Sequence, residues 1–276
     1  MNSLRTLLLH LDGSRAAPNR LAFARDLAAA TDARLDVAYA VAPRFIPVPI
    51  PGGEGIPPPP LLQEVDGRHR RHAKALFTRV LGERQSAHWI DLAGPGVVEV
   101  FLRHARVHDL AILGQPEPGD PAATDVPSHW VETVVLNSGV PAVIVPWAGE
   151  AQANPDSVLV AWKSTPESAR ALASAWPVLS RAKAVHLAIA KAGPEDSNEA
   201  EAVSALLRQH GVNRIHVHPA IEEAGAGEAL LSLAADCGAG LLVMGFFGHS
   251  RAREWILGGV SRTILASMTV PVWTAH

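Results

Sequence analysis

The chain has 276 residues, 48% of them hydrophobic and 18% charged, with a formal net charge of −3. That composition belongs to a packed globular protein with room for one large domain or two ordinary ones, and it excludes a disordered chain. The mild acidic balance gives no reason to expect nucleic acid or an anionic membrane as partner. Cys237 is the single cysteine, which excludes an intrachain disulfide and a cysteine-rich zinc site. The run from Met1 to Asp12 is too short for a secretory apolar region with its cleavage site, and no apolar run reaches the ~18 residues of a membrane span. The expected compartment is the cytoplasm.

Thr6–Leu11 reads as a buried parallel strand that ends at Asp12-Gly13-Ser14. The spacing of Leu21, Ala24, Leu27 and Ala28 predicts a helix, and residues 33–41 a second strand. Residues 43–60 hold eight prolines and three glycines, which is incompatible with a helix or a central strand. A lid or partner-binding loop and a plain surface excursion are both open readings of it. A polar helix rich in arginine and histidine is expected over about 61–81, and a strand near 87–92. Gly94-Pro95-Gly96 leads into a helix carrying Val97, Val100, Phe101 and His104, and Leu110–Gly114 is a strand ending in glycine. After a polar loop, 131–136 reads as helix and 141–146 as strand.

The same order then restarts. Strands are expected at Ser157–Trp162, 182–190, 214–219, Leu241–Gly245 and 270–274, with helices at 166–179, 198–209, 225–237 and 258–268. This alternation implies doubly wound parallel sheets. Gly114 matches Gly245 at an offset of 131 residues, and Val140-Pro141-Ala142-Val143 matches Val270-Pro271-Val272-Trp273 at 130. A period this long is no solenoid unit. It marks two homologous domains, 1–148 and 155–276, joined near 149–155.

The most informative stretch runs from Leu241 to Ser261. An apolar β-type run breaks at Gly245, Gly248 follows, and Gly258-Gly259-Val260-Ser261 opens a segment with helical apolar spacing at Val260, Ile264, Leu265 and Met268. Glycine permits close backbone approach, and a helix N-terminus offers unpaired N–H groups and a positive dipole end to an anion. The stretch reads as a phosphate-binding loop. A relic loop that only turns the chain is the competing reading.

These residues resemble the universal stress protein family in its tandem two-domain form. The family pattern is a first strand ending in aspartate, and later a strand running into G-x2-G-x9-G-[ST] and a closing Pro-Val strand. Here Gly245 and Gly248, nine residues, Gly258-Gly259 and then Pro271-Val272 supply it. The element order resembles the family throughout, whereas the glycine motif stands only in the C-terminal half. The resemblance implies two tandem Rossmann-like α/β domains, of the adenine nucleotide alpha hydrolase-like type. Each is a five-stranded parallel sheet of order 3-2-1-4-5 flanked by helices, with a ligand crevice where the order reverses. It implies an adenine nucleotide, ATP or AMP, with Ile189 facing the adenine and Gly245, Gly248, His249, Ser250, Gly258, Gly259, Val260 and Ser261 around the phosphates; Arg251, a cation in the same loop, and Met244, beside Gly245, are further candidate nucleotide contacts. It also implies fifth strands lying near a pseudo-twofold junction covered by Trp147 and Trp273, so that one chain mimics a homodimer and further dimerisation is not required.

Two departures matter. The family's hydroxyl position is Gly259, and Lys163 stands where the aspartate of the first strand belongs. Lysine accepts no hydrogen bond and repels a divalent cation; it reads either as a cationic phosphate contact or as a solvent-facing residue, and a metal is left undecided. The first half shows the reverse: Asp12 is kept, but Glu117 takes the second glycine's place and Ser128-His129 the Gly-[ST] position. With Asp120 and three nearby prolines, that loop is not expected to bind a nucleotide in the family manner.

Other motifs have bland readings. Lys163-Ser164 lacks the glycines of a P-loop, and Gly225-Ala226-Gly227 reads as a βα turn. The pairs His69/His72, His104/His108 and His216/His218 bring no third metal ligand nearby in sequence, so hydrogen-bonded or solvated imidazoles are expected. No serine elbow is present, and Cys237 reads as a buried small hydrophobe on a helix. The leading reading is a stress-response module that binds an adenine nucleotide, with at most slow hydrolysis. The alternatives are a scaffold that binds no nucleotide and acts through protein partners or another small ligand, and an enzyme of the same fold.

Overall fold

The structure, a computed structural model, describes residues 4–42, 48–50, 53–55, 59–82, 87–94, 96–149, 151–190, 196–222, 224–246 and 259–276. In the first half the elements are β1 (Thr6–Leu11), α1 (Ala17–Thr31), β2 (Arg34–Tyr39), β3 (Val48–Ile50), β4 (Gly53–Gly55), α2 (Pro59–Leu81), β5 (Ala87–Asp91), α3 (Val97–Ala105), β6 (Leu110–Gly114), α4 (Trp130–Ser138) and β7 (Ala142–Val145). The second half contributes β8 (Ser157–Trp162), α5 (Pro166–Ser174), α6 (Trp176–Leu179), β9 (Ala184–Ile189), α7 (Asp196–Gln209), β10 (Ile215–Val217), α8 (Ala226–Asp236), β11 (Leu241–Gly245), α9 (Gly259–Ser267) and β12 (Val272–Ala275).

Ten strands form one sheet in the order β10-β9-β8-β11-β12-β7-β6-β1-β2-β5. Each half therefore has the order 3-2-1-4-5 that the resemblance implies. The halves join edge to edge: β12 pairs antiparallel with β7, with Trp273 opposite Val143, while the other ladders of this sheet are parallel. Because strands covered on both faces need apolar side chains on both, β6 and β11 are apolar runs and β1 is one apart from Thr6 and His10. One core layer packs α1, α2, α5, α6 and α7 on one face, and the other packs α3, α4, α8 and α9 on the opposite face. Both layers run across the junction.

Three expectations are corrected. The helix read over 166–179 is two helices, α5 and α6, with Ala175 between them; Pro177 has no N–H to give and crowds the carbonyl four residues back. The proline-rich segment carries a small antiparallel ladder, β3 with β4, outside the main sheet, and α2 begins within it at Pro59, where a first-turn proline loses no helical hydrogen bond. The polar loop after β6 contains a 3-10 helix, Pro121–Asp125, capped by the Asp120 carboxylate accepting from the Ala122 N–H.

The tryptophan expectation divides. Trp273 is buried and its indole N–H donates to Ser174 Oγ at 2.8 Å, but Trp147 is exposed. Beside the β7–β12 ladder, a side-chain link between the halves is made by Gln115, which is buried. Its amide donates to the Leu265 carbonyl of α9 at 2.9 Å while its Oε1 accepts from the Trp147 backbone N–H.

Candidate functional site

In each half the strand order reverses between the first and fourth strands, and the carboxyl ends there define a crevice. In the second half these strands are β8 and β11. Lys163 follows β8 directly and is half-buried. Thr165 then caps α5, its hydroxyl accepting from the Ser168 N–H at 3.3 Å. Gly245 ends β11, and a Cβ there would stand 2.5 Å from the Ser168 backbone nitrogen and 2.6 Å from the Glu167 carbonyl carbon. The first turn of α5 thus sits on the end of β11, and this packing alone requires glycine. It also sets Glu167 against Gly245, with Glu167 Oε2 buried and without a hydrogen-bond partner among the described residues.

Lys163, Ile189, Met244 and Gly245 lie at the carboxyl ends of three neighbouring strands. Ile189 and Met244 are buried in opposite core layers, and the Ile189 carbonyl already accepts from the Ile221 N–H at 2.8 Å. At the start of α9, Gly259 is exposed, Val260 half-buried and Ser261 buried. Nothing described lies within 4 Å of where a Cβ at Gly259 would stand. Gly248, His249, Ser250, Arg251 and Gly258 lie outside the described residues.

The first-half crevice, between β1 and β6, is filled by its own side chains. Arg20 and Asp12 form a buried ion pair at 2.7 Å, and a Cβ at Gly114 would overlap the Arg20 guanidinium. Asp12 Oδ1 also accepts from the Ser14 N–H at 3.0 Å and the Ser14 hydroxyl at 2.6 Å. Burial is the largest influence on Asp12 and opposes its charge, yet Arg20, His10 and the Ser14 hydrogen bonds together hold its pKa at about 2. The 3-10 helix closes over Gly13, with Ala122 Cβ 3.8 Å from a notional Cβ there. Glu117 pairs with Arg15 at 2.9 Å, and Asp120 accepts from the Arg15 N–H at 2.8 Å. Glu117, at the second glycine's place, and Asp120 are thus both engaged inside the loop.

His10, beneath this pair, donates from Nε2 to the Ala40 carbonyl at 2.9 Å and lies against Trp130. Burial lowers its pKa to about 4, against the opposing pull of Asp12. The unfolded chain takes up this proton near pH 6.5 and the folded chain only near 4. Stability supplied by the neutral imidazole is therefore present above the unfolded value and lost as pH falls between the two. At about 1.4 kcal/mol per unit the loss is on the order of 3 kcal/mol. Urea midpoints of the wild type should fall across that window, and His10→Gln should flatten the fall; an unchanged slope in the variant would remove His10 as its source.

The remaining motifs are placed as follows. His108 is buried with one nitrogen on the His104 carbonyl and the other on Asp36 at 3.0 Å, hydrogen-bonded as expected, and His69 Nδ1 lies 3.2 Å from the Asp125 carboxylate, within ion-pair distance. Gly225 caps α8 with a left-handed backbone, and Gly227 lets α8 pack on Thr263. Cys237 is half-buried just past the end of α8, not within it; burial raises its thiol pKa. Among the described residues no three His, Cys, Asp or Glu side chains stand arranged around a metal position, and no helix is long and apolar enough to cross a membrane.

Sequence reasoning missed Arg20 and Glu167. Arg20 was discoverable as the one charge on the apolar stripe of α1, in line with Ala17, Ala24 and Leu27. Glu167 had no such signal, because its place against Gly245 depends on how α5 packs.

The fold and crevices define a tandem protein of the doubly wound, Rossmann-like class, with the first-half crevice filled by its own side chains. The model of the Universal stress protein family matches residues 141–276, and through this half the chain belongs to that family. A universal stress protein from Archaeoglobus fulgidus DSM 4304 superposes with a TM-score of 0.74 at 18% identity, covering 98% of this chain and 95% of that one. A universal-stress-type protein of Pseudomonas aeruginosa UCBPP-PA14 gives 0.60 at 15% identity, covering 98% and 92%. At these identities the likeness shows the fold. No curated protein matches the chain.

Proposed function

We propose that the second half binds an adenine nucleotide, ATP or AMP, across the carboxyl ends of β8 and β11, and that the chain serves as a cytoplasmic stress-response module, not as an enzyme. The observation that carries this is the contrast between the crevices. Arg20 and the 3-10 helix fill the first, whereas in the second half Gly259 at the start of α9 is exposed and no described residue comes within 4 Å of where its Cβ would stand. Lys163 at the end of β8 supplies a cation for phosphate in place of a metal, and Glu167 brings an acidic side chain to the side where the family's aspartate is missing. The domains are read as 1–148 and 155–276, and the antiparallel β7–β12 pairing as an internal counterpart of a homodimer contact.

The test begins with denaturation of purified protein and assay of any released adenine nucleotide, followed by calorimetric titration of the emptied protein with ATP and AMP. Gly259→Ser should tighten binding roughly fivefold by restoring one hydroxyl hydrogen bond worth about 1 kcal/mol. Gly259→Asp, which no described neighbour opposes, should abolish it by facing a carboxylate to the phosphates. No released nucleotide and no heat at millimolar ligand would sink the proposal.

A further inference from the structure

We propose that His186, His216 and His218 form a three-imidazole site for a divalent transition-metal ion, with Zn²⁺ the ion their chemistry suits best. β10 pairs with β9 in parallel, His216 opposite His186 and Val217 opposite Leu187. Alternate residues of a strand share a face, so His216, His218 and the cross-strand His186 fall on one face of two neighbouring strands. The backbone N–H of His218 donates to the Leu187 carbonyl at 2.9 Å and keeps it in register.

The rings stand together. His186 lies 5.0 Å from His216 and 5.1 Å from His218 between ring centroids, and His186 Nδ1 is 2.8 Å from His218 Nε2. One of those two nitrogens must present a lone pair to the other's proton, so at least one imidazole of the pair is neutral, the form that binds metal. Burial, reinforced by His218 and His216, lowers the His186 pKa and favours that form.

Two imidazole nitrogens on one tetrahedral zinc, each at 2.0–2.1 Å, stand about 3.4 Å apart. Exchanging the shared proton for an ion therefore widens the contact by only about 0.6 Å. As the side chains stand they are paired with one another and not gathered around a metal position, and binding requires small side-chain rotations to converge them. β10 is the outermost strand, His216 is exposed and the other two are half-buried, so an ion enters from solvent. An imidazole set suits Zn²⁺, Cu²⁺ or Ni²⁺ over Mg²⁺ or Ca²⁺, and three protein ligands leave a fourth position for water. This site is independent of the nucleotide crevice.

Untagged full-length protein, stripped with chelator and dialysed, is titrated with ZnCl₂ by calorimetry. Saturation at one ion per chain is expected, with Co²⁺ giving the visible absorption of a tetrahedral site. His216→Gln, on an exposed side chain, should weaken binding at least about tenfold, since losing a ligand costs no less than losing an outer-shell partner. His186→Gln should do the same, and His72→Gln on α2 should change nothing. Absence of saturable Zn²⁺ uptake by the wild type would overturn the proposal. So would uptake unaltered in His216→Gln, which would put the ion on other histidines.

Discussion

Arg20→Ala is expected to destabilise the protein by about 3–5 kcal/mol, the cost of stranding one charge of a buried pair. The side chains of Arg20 and Asp12 are 4% and 7% exposed, so solvent cannot screen the carboxylate that remains. Asp12→Asn strands the guanidinium instead and should cost a similar amount, while the double variant Arg20→Ala/Asp12→Asn should cost clearly less than the sum of the two, because removing both charges also removes both desolvation penalties. Urea unfolding of the four proteins at neutral pH gives the coupling energy directly. A single variant within about 1 kcal/mol of wild type would mean that water reaches the pair. The same pair makes an acid signature. Asp12 has its folded pKa depressed from 3.8 to about 2, so its contribution is present above pH 3.8 and disappears as pH falls toward 2. That window lies below the one His10 controls.

The element order was legible because parallel strands buried on both faces read as apolar runs, and because the Gly-to-Gly and Pro-Val offsets repeat between halves; the strand order within each half came from the family resemblance. What the residues alone did not reveal depends on contacts distant along the chain. The α5–α6 break was hidden by apolar spacing that continues through Ala171, Ala175 and Leu179, although Pro177 carried a signal. Gly245 drew attention as a phosphate glycine, yet the approach of the Ser168 backbone explains it without any ligand. His186 escaped notice beside His216 and His218 because it lies 30 residues upstream of His216 and only strand register brings it alongside. In the first half the loss of glycines was plain, but the manner of closure was not: an arginine on the apolar stripe of α1 reads as surface until its partner Asp12 is seen beneath it.

Trp273→Ala should cost about 3–5 kcal/mol, the range for truncating a fully buried tryptophan. Trp273 is 1% exposed and stands on β12, paired with Val243 of β11 on one side and Val143 of β7 on the other. Alanine would open a cavity at the strand pair that joins the halves, in a core layer shared by α1, α5 and α7, and would leave Ser174 Oγ without its indole donor. Trp273→Phe keeps most of the volume and loses chiefly that bond, so its cost should be nearer 1 kcal/mol. Because β12 and β7 hydrogen-bond to each other, the alanine variant should lower amide-exchange protection in both strands, although β7 belongs to the other half. Loss confined to residues 157–276, with β7 as protected as in the wild type, would show that the halves open independently and that the ten-stranded sheet is not one cooperative unit.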